Sequence, residues 1–128
     1  MAATERAIDW AIRAAQAASE KKAGDIVAID VSEKLAITDV FLILTGSNDR
    51  QVKAISDAVE EALDKIDVDP VRREGQQQGR WILLDYIDIV VHIQHEEERA
   101  FYDLERLWKD CPYIDLQLDA ASDEATQA

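Results

Sequence analysis

Residues 81–95 read WILLDYIDIVVHIQH. Two apolar runs, WILLDYI at 81–87 and DIVVHIQH at 88–95, meet at Ile87 and Asp88 with almost no spacer. That pattern predicts adjacent strands joined by a tight hairpin, although no Asn-Gly or Asp-Gly pair marks the turn. Strand alternation puts Trp81, Leu83 and Asp85 on one face and Ile82, Leu84 and Tyr86 on the other; on the second strand, His92 and Gln94 alternate with Val91 and Ile93. The next residues, 96–109, predict a helix. Glu96, Glu97 and Glu98 occupy its positive end and Lys109 its negative end. Phe101, Leu104 and Trp108 share a face with Leu107 beside it, and Arg99–Asp103 and Glu105–Lys109 have ion-pair spacing. Cys111 and Pro112 end the helix.

Working back towards the N-terminus, VRREG at 71–75 fits a short exposed strand, and Gln76, Gln77, Gln78 and Gly79 a polar turn. The run VFLILTG at 40–46 is continuously apolar, as expected of a strand buried on both faces. Gly46, Ser47, Asn48 and Asp49 close that strand and open a helix whose stripe is Val52, Ile55, Val59, Leu63 and Ile66. DIVAIDV at 25–31 reads as a further strand. Residues 4–19 read as an Ala-rich helix capped by Thr4, with Ile8, Ile12, Ala15 and Ser19 on one face. Trp10 lies off that face, either covering a neighbouring element or making a subunit contact. The order α, β, β, α, β, β, β, α predicts one α/β domain over residues 1–113, a mixed five-stranded sheet flanked by helices. Residues 114–128 are acidic and rich in small side chains, which predicts a disordered tail.

The chain carries 14 Lys and Arg against 27 Asp and Glu, a net charge of −13 over 128 residues. Such a surface is repelled by phosphate backbones and steered towards basic proteins, so nucleic acid is not expected as the main target. Cys111 is the only cysteine, too few for a disulfide or a Cys-rich zinc site. The N-terminus MAATERAIDW is acidic where a signal peptide would be basic and then apolar, and no apolar run is long enough to cross a bilayer. A cytoplasmic protein without membrane contact is expected.

Motifs for chemistry are weak. Asp85 and Asp88 are three apart, which on one strand points them to opposite faces rather than onto a shared pair of metal ions. The turn at Gly46 lacks both a P-loop lysine and a GxGxxG. His92 and His95 are also three apart, and no HExxH, GxSxG or partner for Cys111 is present. No catalytic residue, metal or cofactor is therefore expected. What remains is an interface-like composition: Trp81 with Asp85, His92 and Gln94 nearby, an aromatic anchor with a polar rim. Composition alone is equally consistent with Trp81 in the core.

Two segments carry a resemblance. ITDVFLILTGSNDRQVKAISDAVEEAL and WILLDYIDIVVHIQHEEERAFYDLERLWKD resemble the two signature blocks of the ribosomal silencing factors, also called the Iojap-related family. Thr38-Asp39, Gly46, Arg50-Gln51, Glu74-Gly75, Trp81, Asp85, Val91-His92, Arg99, Tyr102, Leu104-Glu105 and Leu107-Trp108 occur in the family's order and spacing. The resemblance implies a fold related to nucleotidyltransferases without their active site. It also implies binding to the fourteenth protein of the large ribosomal subunit, where the factor obstructs subunit joining during starvation or stationary phase, and a homodimer when free. Carried onto this sequence, the contact residues are Trp81, Asp85, Tyr86, His92 and Gln94. Gln94 stands where the family has Phe or Met, and Tyr86 also departs from its pattern. A divergent nucleotide-binding protein of nucleotidyltransferase type is the alternative.

Overall fold

A computed structural model of the chain describes residues 2–118. The elements run α1 (Glu5–Glu20), β1 (Gly24–Asp30), β2 (Val40–Gly46), α2 (Asp49–Asp64), β3 (Arg72–Glu74), β4 (Trp81–Asp85), β5 (Ile89–His95), α3 (Glu96–Tyr102) and α4 (Leu104–Leu107). The strands form one mixed sheet in the order β1-β2-β5-β4-β3. β2 and β5 are parallel at its centre and the other neighbours antiparallel. The central place of VFLILTG explains its unbroken apolar text: it is covered on both faces.

α1 and α2 lie against one face of the sheet. Leu42, Leu44, Ile82, Leu84, Val91 and Ile93 meet Val52, Ile55, Val59 and Leu63 of α2 and the alanines of α1. Each fully buried aliphatic side chain contributes about 1.5–3 kcal/mol. The buried face of α1 is Ala7, Ala11, Ala14, Ala15 and Ala18; of the expected Ile8, Ile12, Ala15 and Ser19, only Ala15 belongs to it. Small side chains let α1 approach both α2 and the sheet, and the isoleucines pack at its flank. Trp10 also packs there, with the Arg6 guanidinium 5.5 Å from its ring centre.

The opposite face carries a smaller cluster: Ile29, Val31, Ile43 and Cys111, with Phe41, Leu104 and Trp108 packed on it. The helix expected over 96–109 is broken at Asp103, whose φ of 47° and ψ of 57° are left-handed. Aspartate tolerates that conformation better than most residues. The break turns Leu104 and Trp108 down onto the sheet and leaves Phe101 82% exposed, so the three do not form one stripe. Arg99 pairs with Glu105 across the break instead of with Asp103.

The β4–β5 turn places Ile87 at φ 70°. A β-branched side chain there is strained. Ile87 is also half-exposed and buries little. Ile87→Gly is expected to raise stability by about 1 kcal/mol, read as a higher urea midpoint at unchanged slope. At the other end of the sheet, residues 114–118, assigned above to the tail, pack instead. Ile114 N–H donates to the Ala28 carbonyl at 2.9 Å, and Leu116 is buried in the core. Residues 112–114 thus cover the β1 edge. The acidic stretch from 119 to 128 lies outside the described residues.

Candidate functional site

Pairing register decides which side chains meet. Trp81 lies opposite Gln94, Leu83 opposite His92 and Asp85 opposite Val90. On the other flank of β5, Ile43 is beside His92 and Thr45 beside Gln94. Trp81, Asp85, His92 and Gln94 therefore share the face away from α1 and α2. Tyr86 does not. It is 4% exposed on the opposite face, inside the main core. Burial also pushes its phenol well above the ordinary tyrosine range. Its expected role as a surface contact is corrected on that ground.

Trp81 Nε1–H donates to His92 Nδ1 at 3.2 Å. That bond places the imidazole proton on Nε2. Burial lowers the His92 pKa to about 4, so the ring is neutral at pH 7. His92 and Gln94 are both buried: the His92 ring meets Phe41 edge-on at 5.0 Å, and α3 brings Arg99 to Thr45, the neighbour of Gln94 in the sheet. Of the four residues on this face, only Trp81 and Asp85 reach the surface.

The surface is completed by residues of the segment expected to form one helix over 96–109. The Tyr102 ring lies 4.6 Å from Trp81, and Phe101 lies 5.1 Å from Tyr102 edge to face. Leu107 on α4 is exposed as well. Acids dominate the surroundings: residues 96–110 hold six, Glu96, Glu97, Glu98, Asp103, Glu105 and Asp110, against three bases, Arg99, Arg106 and Lys109. The sequence carries no clear signal for this apolar surface, because the left-handed turn at Asp103 leaves the helical spacing on either side unchanged.

Arg99 holds the arrangement in place. It is buried, and it donates from Nη1 to Thr45 Oγ1 at 2.5 Å and from Nε and Nη2 to the Glu105 carboxylate at 3.0 Å. The guanidinium bond keeps Glu105 below the usual carboxylate range. One side chain thereby ties α3 and α4 to β2. Gly75 sets the opposite border. With φ +83° its backbone lies against the Trp81 carbonyl, where a Cβ would collide.

The acids considered for metal chemistry are engaged separately. Asp85 accepts from Ile87 N–H and lies 3.5 Å from Arg72, while Asp88 pairs with Arg6 at 2.7 Å. Among the described residues, no group of three or more His, Cys, Asp or Glu side chains is placed to hold a metal ion. At the start of α2, Asn48 spends its side chain as the cap, accepting from Gln51 N–H. The depression there, about 520 Å³ lined by Asn48, Asp49, Arg50 and His95, places the Asp49 carboxylate beside any anion. No helix among the described residues is long and apolar enough to cross a membrane.

Comparison with known proteins gives a consistent result. A family model described as "Ribosomal silencing factor during starvation" matches residues 4–128. The ribosomal silencing factor RsfS of Bacillus subtilis is 41% identical over 103 residues, 80% of this chain and 87% of that protein. The chloroplastic protein Iojap of Zea mays is 36% identical over 112 residues, 88% of this chain and 49% of that protein. A crystal structure of a Chromobacterium violaceum protein matches with a TM-score of 0.76 at 35% identity, covering 79% of this chain and 84% of that one.

Proposed function

The chain belongs to the ribosomal silencing factor family, and from that premise we propose that it is a translational repressor that binds the large ribosomal subunit and blocks joining of the small one. Its contact is the fourteenth protein of the large subunit, met by the face that Trp81, Asp85, Tyr102 and Phe101 present. The observation that carries this reading is the aromatic run Trp81–Tyr102–Phe101, half-buried at Trp81 and exposed at the other two, set among acids. Aromatic anchors with a charged rim are the usual make-up of a binding hot spot. The net charge of −13 speeds encounter with a basic protein and keeps contact off the neighbouring RNA.

The mechanism is occlusion. An interface of ordinary size buries about 800 Å² on each partner. A 14.4 kDa body seated on the joining face takes volume the small subunit needs. No bond is made or broken, and repression depends on affinity and residence time. Before ribosome binding the protein is a homodimer, and it works in the cytoplasm where its target is. The test is direct. Purified chain is expected to co-sediment with large subunits at micromolar concentration and to reduce the yield of joined ribosomes. Large subunits that neither retain the chain nor join less in its presence would refute the reading.

A further inference from the structure

Around α3 and the end of β5 the ordinary arrangement of apolar inside and polar outside is inverted. Phe101 and Tyr102 face solvent, while Arg99, His92 and Gln94 are buried, Gln94 completely at 0% exposure. Arg99 spends its donors on Thr45 and Glu105. Gln94 spends nothing. Among the described residues, neither its amide oxygen nor its amide nitrogen has a hydrogen-bond partner, and the same holds for His92 Nε2. A buried polar atom without a partner is destabilising, and methionine would fill the same space without that penalty. The unpartnered groups are neighbours. His92 and Gln94 are two apart on β5 and project from the same face. Trp81, opposite Gln94 in the register, bonds to His92.

The donors and acceptors on offer define what would fit. His92 presents Nε2–H because the indole occupies Nδ1. Gln94 adds N–H donors and one carbonyl acceptor. A carboxylate would accept from both residues but stand against the Gln94 oxygen. An ammonium would satisfy that oxygen but stand against His92 Nε2–H. A neutral amide offers a carbonyl to the donors and an N–H to the acceptor, and satisfies all three atoms.

We propose that Gln94 and His92 form an amide-reading pocket inside the docking face. In the free chain the Phe41 and Trp81 rings lie against His92, and Tyr102 of α3 lies on Trp81. On docking, Tyr102 moves off Trp81, and the ribosomal protein inserts an asparagine or glutamine side chain. The pocket gives the face a specificity that its apolar rings alone do not supply, because a partner lacking the amide leaves the buried groups unpaired. This inference rests on the docking-face reading above.

The test uses Gln94→Met in the full chain, with Gln94→Leu as a second apolar variant. Urea unfolding and co-sedimentation with purified large subunits are measured on each, with Trp81→Ala alongside. The expected result is split in sign: stability equal to or above wild type, and affinity at least about tenfold weaker. Binding within twofold of wild type in both Gln94 variants, while Trp81→Ala loses it, overturns the pocket and leaves the docking face standing. A change confined to self-association, with subunit binding intact, assigns the pocket to a second copy and overturns the proposal equally. A fall in stability of both variants shows that the amide is satisfied within the fold, and this too overturns it. Wild-type chain that ignores large subunits sinks the docking face and the pocket together.

Discussion

Trp81→Ala is expected to weaken binding to large ribosomal subunits by about 30-fold or more. A central aromatic of a docking face contributes 2 kcal/mol or more by truncation, and about 1.4 kcal/mol is a factor of ten. The loss is not confined to Trp81's own area. Without the indole, His92 Nδ1 loses its donor and Tyr102 its ring neighbour. The variant will therefore also be less stable, and a loss of binding could be blamed on the fold. Phe101 separates the two effects. At 82% exposed it buries little beyond its edge contact with Tyr102, so Phe101→Ala should leave unfolding free energy within about 0.5 kcal/mol of wild type. Its affinity for large subunits should still fall by about tenfold. Co-sedimentation isotherms and urea curves on both variants decide the matter. If both fold normally and bind as tightly as wild type, the aromatic run is not the contact.

The sheet was legible because its evidence is local. Alternation over 81–95 and the unbroken apolar run at 40–46 each demand a strand, and the central, doubly covered place of β2 follows from the second. Alternation also separated Tyr86 from Trp81. Its assignment to the contact came from the resemblance, and the structure follows the alternation. α1 misled for an energetic reason. Hydropathy ranks isoleucine above alanine, but closeness of approach between packed helices selects the smaller side chain, and that preference depends on neighbours the sequence does not display. The break at Asp103 was hidden for a similar reason. A single left-handed residue leaves helical periodicity intact on both sides, and the Arg99 bonds to Thr45 and Glu105 that fix it reach across the fold. That one turn parts Phe101 from Leu104 and Trp108 and leaves it at the surface, so the composition of the docking face could not be read before the tertiary structure.

Lowering the pH from 7 to 5 is expected to cost the protein about 2 kcal/mol of stability through His92 alone. Burial holds its pKa at about 4 in the fold, against an ordinary 6.5. Because the folded value is the lower one, the unfolded chain takes up the proton first. The unfolded state is thus favoured progressively as pH falls from about 6.5 to about 4, and below that both states are protonated. The full difference is worth about 3 kcal/mol, at about 1.4 kcal/mol per pKa unit. Carboxylates act in another window. Glu105, lowered by its bonds to Arg99, contributes stability that is present above its ordinary 4.5 and is lost as pH falls through and below it. Between pH 7 and 5 the slope therefore belongs chiefly to His92, and the chain stays above its isoelectric point of about 4.4. His92→Asn removes the titration and keeps an oxygen near the Nδ1 position to accept from Trp81 Nε1–H. Urea midpoints at pH 7, 6 and 5 should fall steeply for wild type and stay nearly level for the variant. Equal slopes would mean that His92 charges freely in the folded protein, which requires water or an acceptor to reach Nε2 while α3 is closed.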